Sequence, residues 1–171
     1  MTRRATLLLL TLAAAGGAAA NAEGISTAEG PANAITVGCD QIIGRAKTGH
    51  DAGYRVVLGI VSAPPASLGS TVHVPEYTPF PYWRKAGMVI HAGRQSVTVS
   101  VPAAYARRVR IGWGNPATPT TTVRFSACPS FRGWIAYAGG FFLRARSACV
   151  PLTFAVGRRH TTLRFGLGRR C

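Results

Sequence analysis

The chain has 171 residues, of which 47% are hydrophobic and 15% are charged. Its 20 lysines and arginines outnumber five acidic residues, which gives a formal net charge of +15 at pH 7. This length suits one domain with a real core, and so few acids leave little basis for chemistry that needs paired carboxylates.

The first 22 residues have the layout of a secretory signal peptide. Arg3 and Arg4 form a positive start, residues 5–20 are apolar, and Ala20-Asn21-Ala22 has the small-x-small pattern that signal peptidase cleaves. The apolar stretch is shorter than the roughly 20 residues that span a bilayer, which disfavours the alternative of a membrane anchor. We therefore predict a signal peptide over 1–22, a secreted (extracellular or cell-envelope) mature chain, and no integral membrane segment after cleavage.

The predicted mature chain is strongly basic. Removing residues 1–22 takes away Arg3 and Arg4, so 18 bases and five acids remain, a net charge of +13. Residues 23–34 are small and polar, and we predict a disordered leader there, followed by a single domain over 35–171. The bias of arginine over lysine has two interpretations, a selected basic surface or the product of GC-rich coding.

The patterns along this domain are typical of short β-strands. Tyr54–Ser62 reads as one strand that ends at Pro64-Pro65. Val97, Val99 and Val101 alternate with polar residues, the period-two signature of a half-buried strand, and no 11-residue window shows sustained helical periodicity. With turn signals between about nine such segments, the sequence predicts an all-β fold, an antiparallel β-sandwich of the immunoglobulin-like type. A β-barrel is the alternative.

Four cysteines in an exported chain predict two disulfides, for which three pairings exist. The short Cys-x2–4-Cys spacings of a zinc site are absent. Strand parity places Cys128 and Cys149 on the polar side of their strands, and Cys39 and Cys171 on the apolar side. A two-residue hairpin at Gly139-Gly140 would also bring the first pair together. We therefore predict the pairs Cys128–Cys149 and Cys39–Cys171.

Three arginines alternate with apolar residues and so face away from the predicted core. They are Arg110, Arg124 and Arg164, the last two within the matching stretches TTVRF and TTLRF. If their strands are neighbours, the guanidinium groups share one face that suits an anionic polymer, because few of these charges have a carboxylate partner. The alternative is a solvated face spread over two sheets.

A second candidate site is the aromatic and proline-rich segment from Pro75 to Gly87. Its proposed binding residues are Tyr82, Trp83, Arg84 and Lys85, since aromatic rings stack on sugars or bases and adjacent cations contact an anionic group. Proline is expected to keep the segment extended and outside a central strand. The alternative is that these rings only cover one open end of the sandwich.

Catalysis has little support in the sequence. The carboxylates are Glu23, Glu29, Asp40, Asp51 and Glu76. The pair His50-Asp51 lies in a glycine-rich turn, and no recognisable catalytic, cofactor-binding or metal-binding motif occurs. We predict no catalytic residue, no cofactor and no metal ligand.

Two functions remain as hypotheses. The preferred one is a secreted, non-enzymatic β-sandwich that binds an anionic polymer or envelope glycan; specific recognition of nucleic acid is not expected. The alternative is a secreted hydrolase of cell-envelope polymer that uses Asp51, Glu76 and a histidine.

Overall fold

A computed structural model describes residues 34–171. The proposed signal peptide and the proposed leader up to residue 33 lie outside these residues, and Ala34 already belongs to the first strand. Over the described residues, no helix has the length and apolar character needed to cross a membrane.

The described chain is built from fourteen β-strands and four single turns of 3-10 helix. The strands are β1 (Ala34–Val37), β2 (Gly44–Ala46), β3 (Arg55–Val57), β4 (Val61–Ala63), β5 (Val72–His73), β6 (Tyr82–Lys85), β7 (Met88–His91), β8 (Val97–Ser100), β9 (Val109–Trp113), β10 (Thr122–Phe125), β11 (Trp134–Tyr137), β12 (Gly139–Leu143), β13 (Ala148–Val156) and β14 (Arg159–Leu167). The helical turns are Cys39–Gln41, Asp51–Gly53, Pro75–Tyr77 and Ala103–Tyr105.

The strands form three sheets. The first sheet has the order β1-β10-β8-β13-β14, the second β2-β11-β7-β4-β3 and the third β5-β6-β12-β9. All pairings are antiparallel except that of β1 with β10. The second and third sheets join end to end, because β6 runs on into β7 and β11 into β12, and Ala86 N–H donates to Gly139 O across the junction at 2.8 Å.

The core lies between the first sheet and the joined second and third sheets. Aromatic side chains bridge the two layers: Phe125 of β10 contacts Trp113 and Tyr137 at ring centroid distances of 6.0 and 4.9 Å. Phe165 of β14 contacts Phe141 of β12 at 5.6 Å. All five of these side chains are almost fully buried. The prediction of an all-β sandwich with two disulfides is therefore confirmed, and the sheets keep open edges instead of closing into the alternative barrel.

Gly139-Gly140 lies within the sheets and is not a hairpin turn, so that prediction is wrong. β11 pairs with β7 and β12 pairs with β6, and the chain runs on from one strand into the next. The glycines are there because backbones pass close to them. A Cβ on Gly139 would overlap the carbonyl oxygen of Gly112, and one on Gly140 would overlap that of Arg84. Close approach and a turn leave the same Gly-Gly signal in a sequence.

Two other strand predictions also need correction. Tyr54–Ser62 is not one strand but the hairpin β3–β4, whose turn holds Leu58 and Gly59 at φ of 52° and 79°. The segment after Pro81 was expected to stay outside a central strand, yet β6 lies between β5 and β12. Proline excludes only itself from the ladder, and β6 begins one residue after it.

The disulfides join Cys39 to Cys128 and Cys149 to Cys171, so both predicted pairs are wrong. The alternation of side chains predicted the wrong pairs because three of these cysteines lie beyond the ends of their strands, where alternation no longer applies. Cys39 and Cys128 meet because β1 runs parallel to β10 and both chains leave the sheet at the same end. Cys171 meets Cys149 because the tail folds back after β14 over Gly166, the residue paired with Cys149.

Candidate anion-binding site

The three outward arginines of the sequence lie in two different sheets. Arg124 belongs to β10 and Arg164 to β14 of the first sheet, whereas Arg110 belongs to β9 of the third. The three therefore do not share one face. The alternative that the sequence left open, a basic surface spread over two sheets, is the arrangement found.

Arg124 and Arg164 lie on the outer side of the first sheet, with strands β8 and β13 between them. Both side chains are exposed. Their surroundings on this side are hydroxyl groups: Thr98 is paired with Arg124, and Thr153 contacts Thr162 with 3.1 Å between the hydroxyl oxygens. The described residues offer neither arginine a carboxylate partner.

Arg110 instead belongs to a cross-strand row on the outer side of the third sheet. Trp83 of β6 and Arg110 of β9 both pair with Phe142 of β12, one from each side. Phe142 is fully buried although it points away from the main core. The ring of Tyr77 covers it edge-on at a centroid distance of 4.9 Å. The aromatic segment thus forms a small second core on this sheet.

Two arginines sit against a single ring at the edge of this second core. The guanidinium carbons of Arg110 and Arg144 lie 4.7 and 5.4 Å from the centroid of Phe80, which is 6% exposed. Arg110 also donates hydrogen bonds to the carbonyl oxygens of Ala106 and Val109. Burial, and then the positive charge of Arg144, hold the pKa of Arg110 below its ordinary value. We call these three residues the Phe80 stack.

The four predicted binding residues of the aromatic segment do not form one patch, because they alternate along β6. Tyr82 packs against the main core and its ring lies 5.1 Å from that of His73. Arg84 is half-buried and donates from Nη1 to Ser70 O at 3.1 Å. Trp83 and Lys85 point to the opposite side, where Lys85 is exposed. The rings of Tyr82 and Trp83 are both half-buried within a sheet and do not cover an open end of the sandwich.

The sequence reasoning missed a cleft beside the Phe80 stack. This cavity of about 400 Å³ is lined by Arg108, Arg144 and Arg169, together with Tyr105 and Ser147. Arg108 precedes β9, Arg144 follows β12 and Arg169 follows β14. The guanidinium carbon of Arg108 lies 5.2 Å from the centroid of the Tyr105 ring. We call this cavity the arginine cleft; its lining contains no acidic residue.

Segments that are far apart in sequence position these arginines. Arg144 N–H donates to Arg108 O at 3.0 Å, which fixes the start of β9 beside the end of β12. The tail that carries Arg169 is held by the disulfide between Cys149 and Cys171, and Cys149 itself lines the cleft. None of these loop positions has a periodic pattern, so no local sequence signal marks them.

A second cavity adjoins the cleft on the other side of Ser147. It measures about 350 Å³ and is lined by hydroxyl groups, by Arg146 and by the His73–Tyr82 pair. Ser147 lines both cavities. The loop between β12 and β13 therefore carries basic residues into two neighbouring concave surfaces.

The carboxylates of the described residues are Asp40, Asp51 and Glu76, and none of them lines the arginine cleft or the cavity that adjoins it. Asp51 accepts hydrogen bonds from Thr48 N–H at 3.2 Å and from Thr48 Oγ1 at 2.8 Å. These bonds hold the pKa of Asp51 below its ordinary value, which suits a turn-stabilising carboxylate and not a general acid. No group of three or more potential metal ligands occurs between residues 34 and 171.

Comparisons with protein-family models, with curated proteins and with solved structures found no match to this chain.

Proposed function

We propose that this protein is an exported, non-enzymatic β-sandwich that binds an anionic polymer or acidic glycan of the cell envelope. Export is supported by the signal-peptide pattern of residues 1–22 and by two disulfides, which are typical of chains that fold in an oxidising compartment. Binding is assigned to the Phe80 stack and the arginine cleft, which share Arg144.

The observation that carries this proposal is the meeting of four arginines without a counter-charge. Arg108, Arg110, Arg144 and Arg169 line the stack and the cleft, and the described residues offer them no carboxylate. Like charges in proximity destabilise a free protein, and a bound anion removes that repulsion. Arg110 uses Nη1 for the carbonyl oxygens of Ala106 and Val109. Arg144 stacks on Phe80 without a side-chain hydrogen bond to the described residues, so its forked donors are free for such a ligand.

The hydrolase alternative receives no support from a specific geometry. Asp51 accepts a hydrogen bond from Thr48, Glu76 is exposed in the helical turn Pro75–Tyr77, and neither lines the arginine cleft or the cavity that adjoins it. It is tested directly by incubating the protein with labelled cell-envelope polymer. An Asp51→Asn/Glu76→Gln variant that lost release of label would favour the hydrolase.

The experiment that tests the proposal compares two double variants with the same loss of charge. Binding of the mature chain to dextran sulfate and to polygalacturonate is measured by calorimetry over about 0.05 to 0.3 M NaCl, with neutral dextran as the blank. We expect Arg110→Gln/Arg144→Gln to weaken binding by at least about tenfold, and Arg124→Gln/Arg164→Gln to change it by less than about threefold. An affinity that does not change with NaCl concentration, or an equal loss of affinity in both double variants, would contradict the proposal.

A further inference from the structure

The arginine cleft has the size of a site for one small charged group. Its volume of about 400 Å³ falls within the usual range of small-ligand sites. Arg108, Arg144 and Arg169 line it together with an apolar wall that includes Val109 and Leu143. A ligand that suits both must carry a compact anion on a partly apolar body.

The number of guanidinium groups narrows the chemical class of anion that suits the cleft. One guanidinium fork satisfies the two oxygens and the single charge of a carboxylate. A phosphate or sulfate ester has three terminal oxygens, and a phosphate monoester carries up to about two charges at neutral pH. Three arginines on three separate segments therefore match a tetrahedral oxyanion better than a uronate carboxylate.

The tail is folded so that Arg169 reaches this cavity. Gly168 takes a φ of 64°, which turns the chain back after β14. Gly166 leaves room for the carbonyl oxygen of Arg169, which a Cβ at that position would overlap. The disulfide between Cys149 and Cys171 then closes the turn two residues later. Arg169 and Arg170 are both exposed, but Arg170 lines neither the arginine cleft nor the cavity that adjoins it.

We propose that the arginine cleft binds the phosphate or sulfate ester group of a sugar, with Arg108, Arg144 and Arg169 around the oxyanion and Ser147 as a further donor. This inference rests on the proposed function and names the ligand class of its site. The sugar ring lies against Tyr105 and the apolar wall. The cleft therefore binds one ester-bearing sugar unit of the polymer, while the Phe80 stack contacts the charged group of the neighbouring unit.

The test uses four monosaccharides as probes: glucose 6-phosphate, glucose 6-sulfate, glucuronate and glucose. They are titrated into the oxidised mature chain in a chloride buffer of low ionic strength, by calorimetry and by amide chemical shifts. We expect one or both esters to bind at least about tenfold more tightly than glucuronate, and glucose not to bind. The ratio of the two esters identifies phosphate or sulfate as the natural group. Glucuronate binding as tightly as the esters would overturn the inference.

A pair of neighbouring variants localises the binding. Arg169→Gln is expected to weaken ester binding by at least about tenfold, and Arg170→Gln, which removes the same charge one residue later, by less than about twofold. Equal effects would show general attraction and overturn the cleft as the site. The two proposals fail separately. If dextran sulfate binds but Arg169→Gln does not weaken ester binding, only the proposed ester site is wrong. If the esters bind and no polymer does, the proposed polymer-binding function is wrong.

Discussion

Arg144 lies against Phe80 beside Arg110 and also lines the arginine cleft. Its charge therefore repels that of Arg110 in the free protein and attracts the proposed ligand. Methionine keeps much of the length of the side chain and its contact with the ring, but removes the charge. We expect Arg144→Met to melt at the same temperature as the wild type or higher, while binding dextran sulfate at least about tenfold more weakly.

Arg124→Met is the matched control, because Arg124 is exposed on the first sheet and lies outside the cleft and the stack. It should change neither the melting temperature nor the affinity beyond the effect of one lost surface charge. A melting temperature for Arg144→Met that falls clearly below that of Arg124→Met would contradict the assigned repulsion.

Gly139 allows the backbones of β9 and β12 to pass at close range. Its φ is 149°, and a Cβ there would overlap the carbonyl oxygen of Gly112, which is part of a strand and cannot move freely. We expect Gly139→Ala to lower the free energy of unfolding by about 3 kcal/mol. Gly44→Ala is the control, since a Cβ on Gly44 meets no atom within 4 Å. Urea unfolding with the disulfides intact measures both, and a loss below about 1 kcal/mol for Gly139→Ala would refute the argument.

Single residues also show what a sequence can reveal about the site. Alternation along a strand gives the side of the sheet on which Arg110, Arg124 and Arg164 lie, because that depends only on neighbours in the chain. It cannot tell which strands are adjacent, so it could not show that Arg110 stands apart from the other two. Arg108 and Arg169 lie outside the strands, where no period exists, and their meeting depends on the tertiary fold alone.

At the scale of elements, the tail after β14 depends on one disulfide. Cys149–Cys171 closes a separation of 22 residues, and its loss is expected to cost about 3 kcal/mol of stability through loop-closure entropy. It also releases Arg169 from the cleft. We expect Cys149→Ser/Cys171→Ser to remain folded at 25 °C and to bind glucose 6-phosphate or 6-sulfate as weakly as Arg169→Gln does.

The other disulfide supplies the control. Cys39–Cys128 spans 89 residues, so its removal should cost more stability, about 5 kcal/mol, yet it lies away from the cleft. A Cys39→Ser/Cys128→Ser variant, studied below its lower melting temperature, should keep wild-type affinity for the ester. Equal losses of affinity in both double variants would mean that binding reports only the general stability of the fold.

The elements mark the limit of sequence reasoning for the fold. The valine alternation in β8 was readable because that signal is local. The pairing of β1 with β10 joins segments that are far apart in sequence, and it alone places Cys39 beside Cys128. Turn and hairpin signals indicate only antiparallel pairs of strands that are close in sequence, so they do not predict this parallel pairing. The two glycines at the junction of β11 and β12 were misread because local chemistry cannot distinguish a turn from close approach.

For the whole molecule, the charge balance predicts that the proposed binding and the stability of the free protein oppose each other. Residues 34–171 contain 18 lysines and arginines and three carboxylates, a difference of +15. The described residues form no ion pair between these groups. A fold with so much uncompensated charge is held by its buried aromatic core and its two disulfides, which resist repulsion without needing counter-charges.

Two tyrosines with raised pKa values predict that the stability falls at alkaline pH. Burial raises the pKa of Tyr54 and Tyr137 above the usual value of 10.0, and Tyr54 Oη donates to Gly87 O at 3.1 Å. Because the unfolded phenols ionise first, this stability is fully present below pH 10 and is lost as the pH rises towards the folded pKa. We expect the free energy of unfolding in urea to be constant from about pH 7 to 9 and then to fall by up to about 1.4 kcal/mol per pH unit for each tyrosine.

Tyr54→Phe separates this effect from a general response to pH. The variant loses one hydrogen bond and should be about 1 kcal/mol less stable at neutral pH, but its decline above pH 10 should be shallower than that of the wild type, since phenylalanine cannot ionise. Sixteen of the 18 basic residues between 34 and 171 are arginines, which keep their charge in this pH range, so repulsion among them does not grow and does not cause an alkaline decline. An alkaline decline in the wild type therefore requires buried acids, and an equally steep decline in Tyr54→Phe would exclude Tyr54 as one of them.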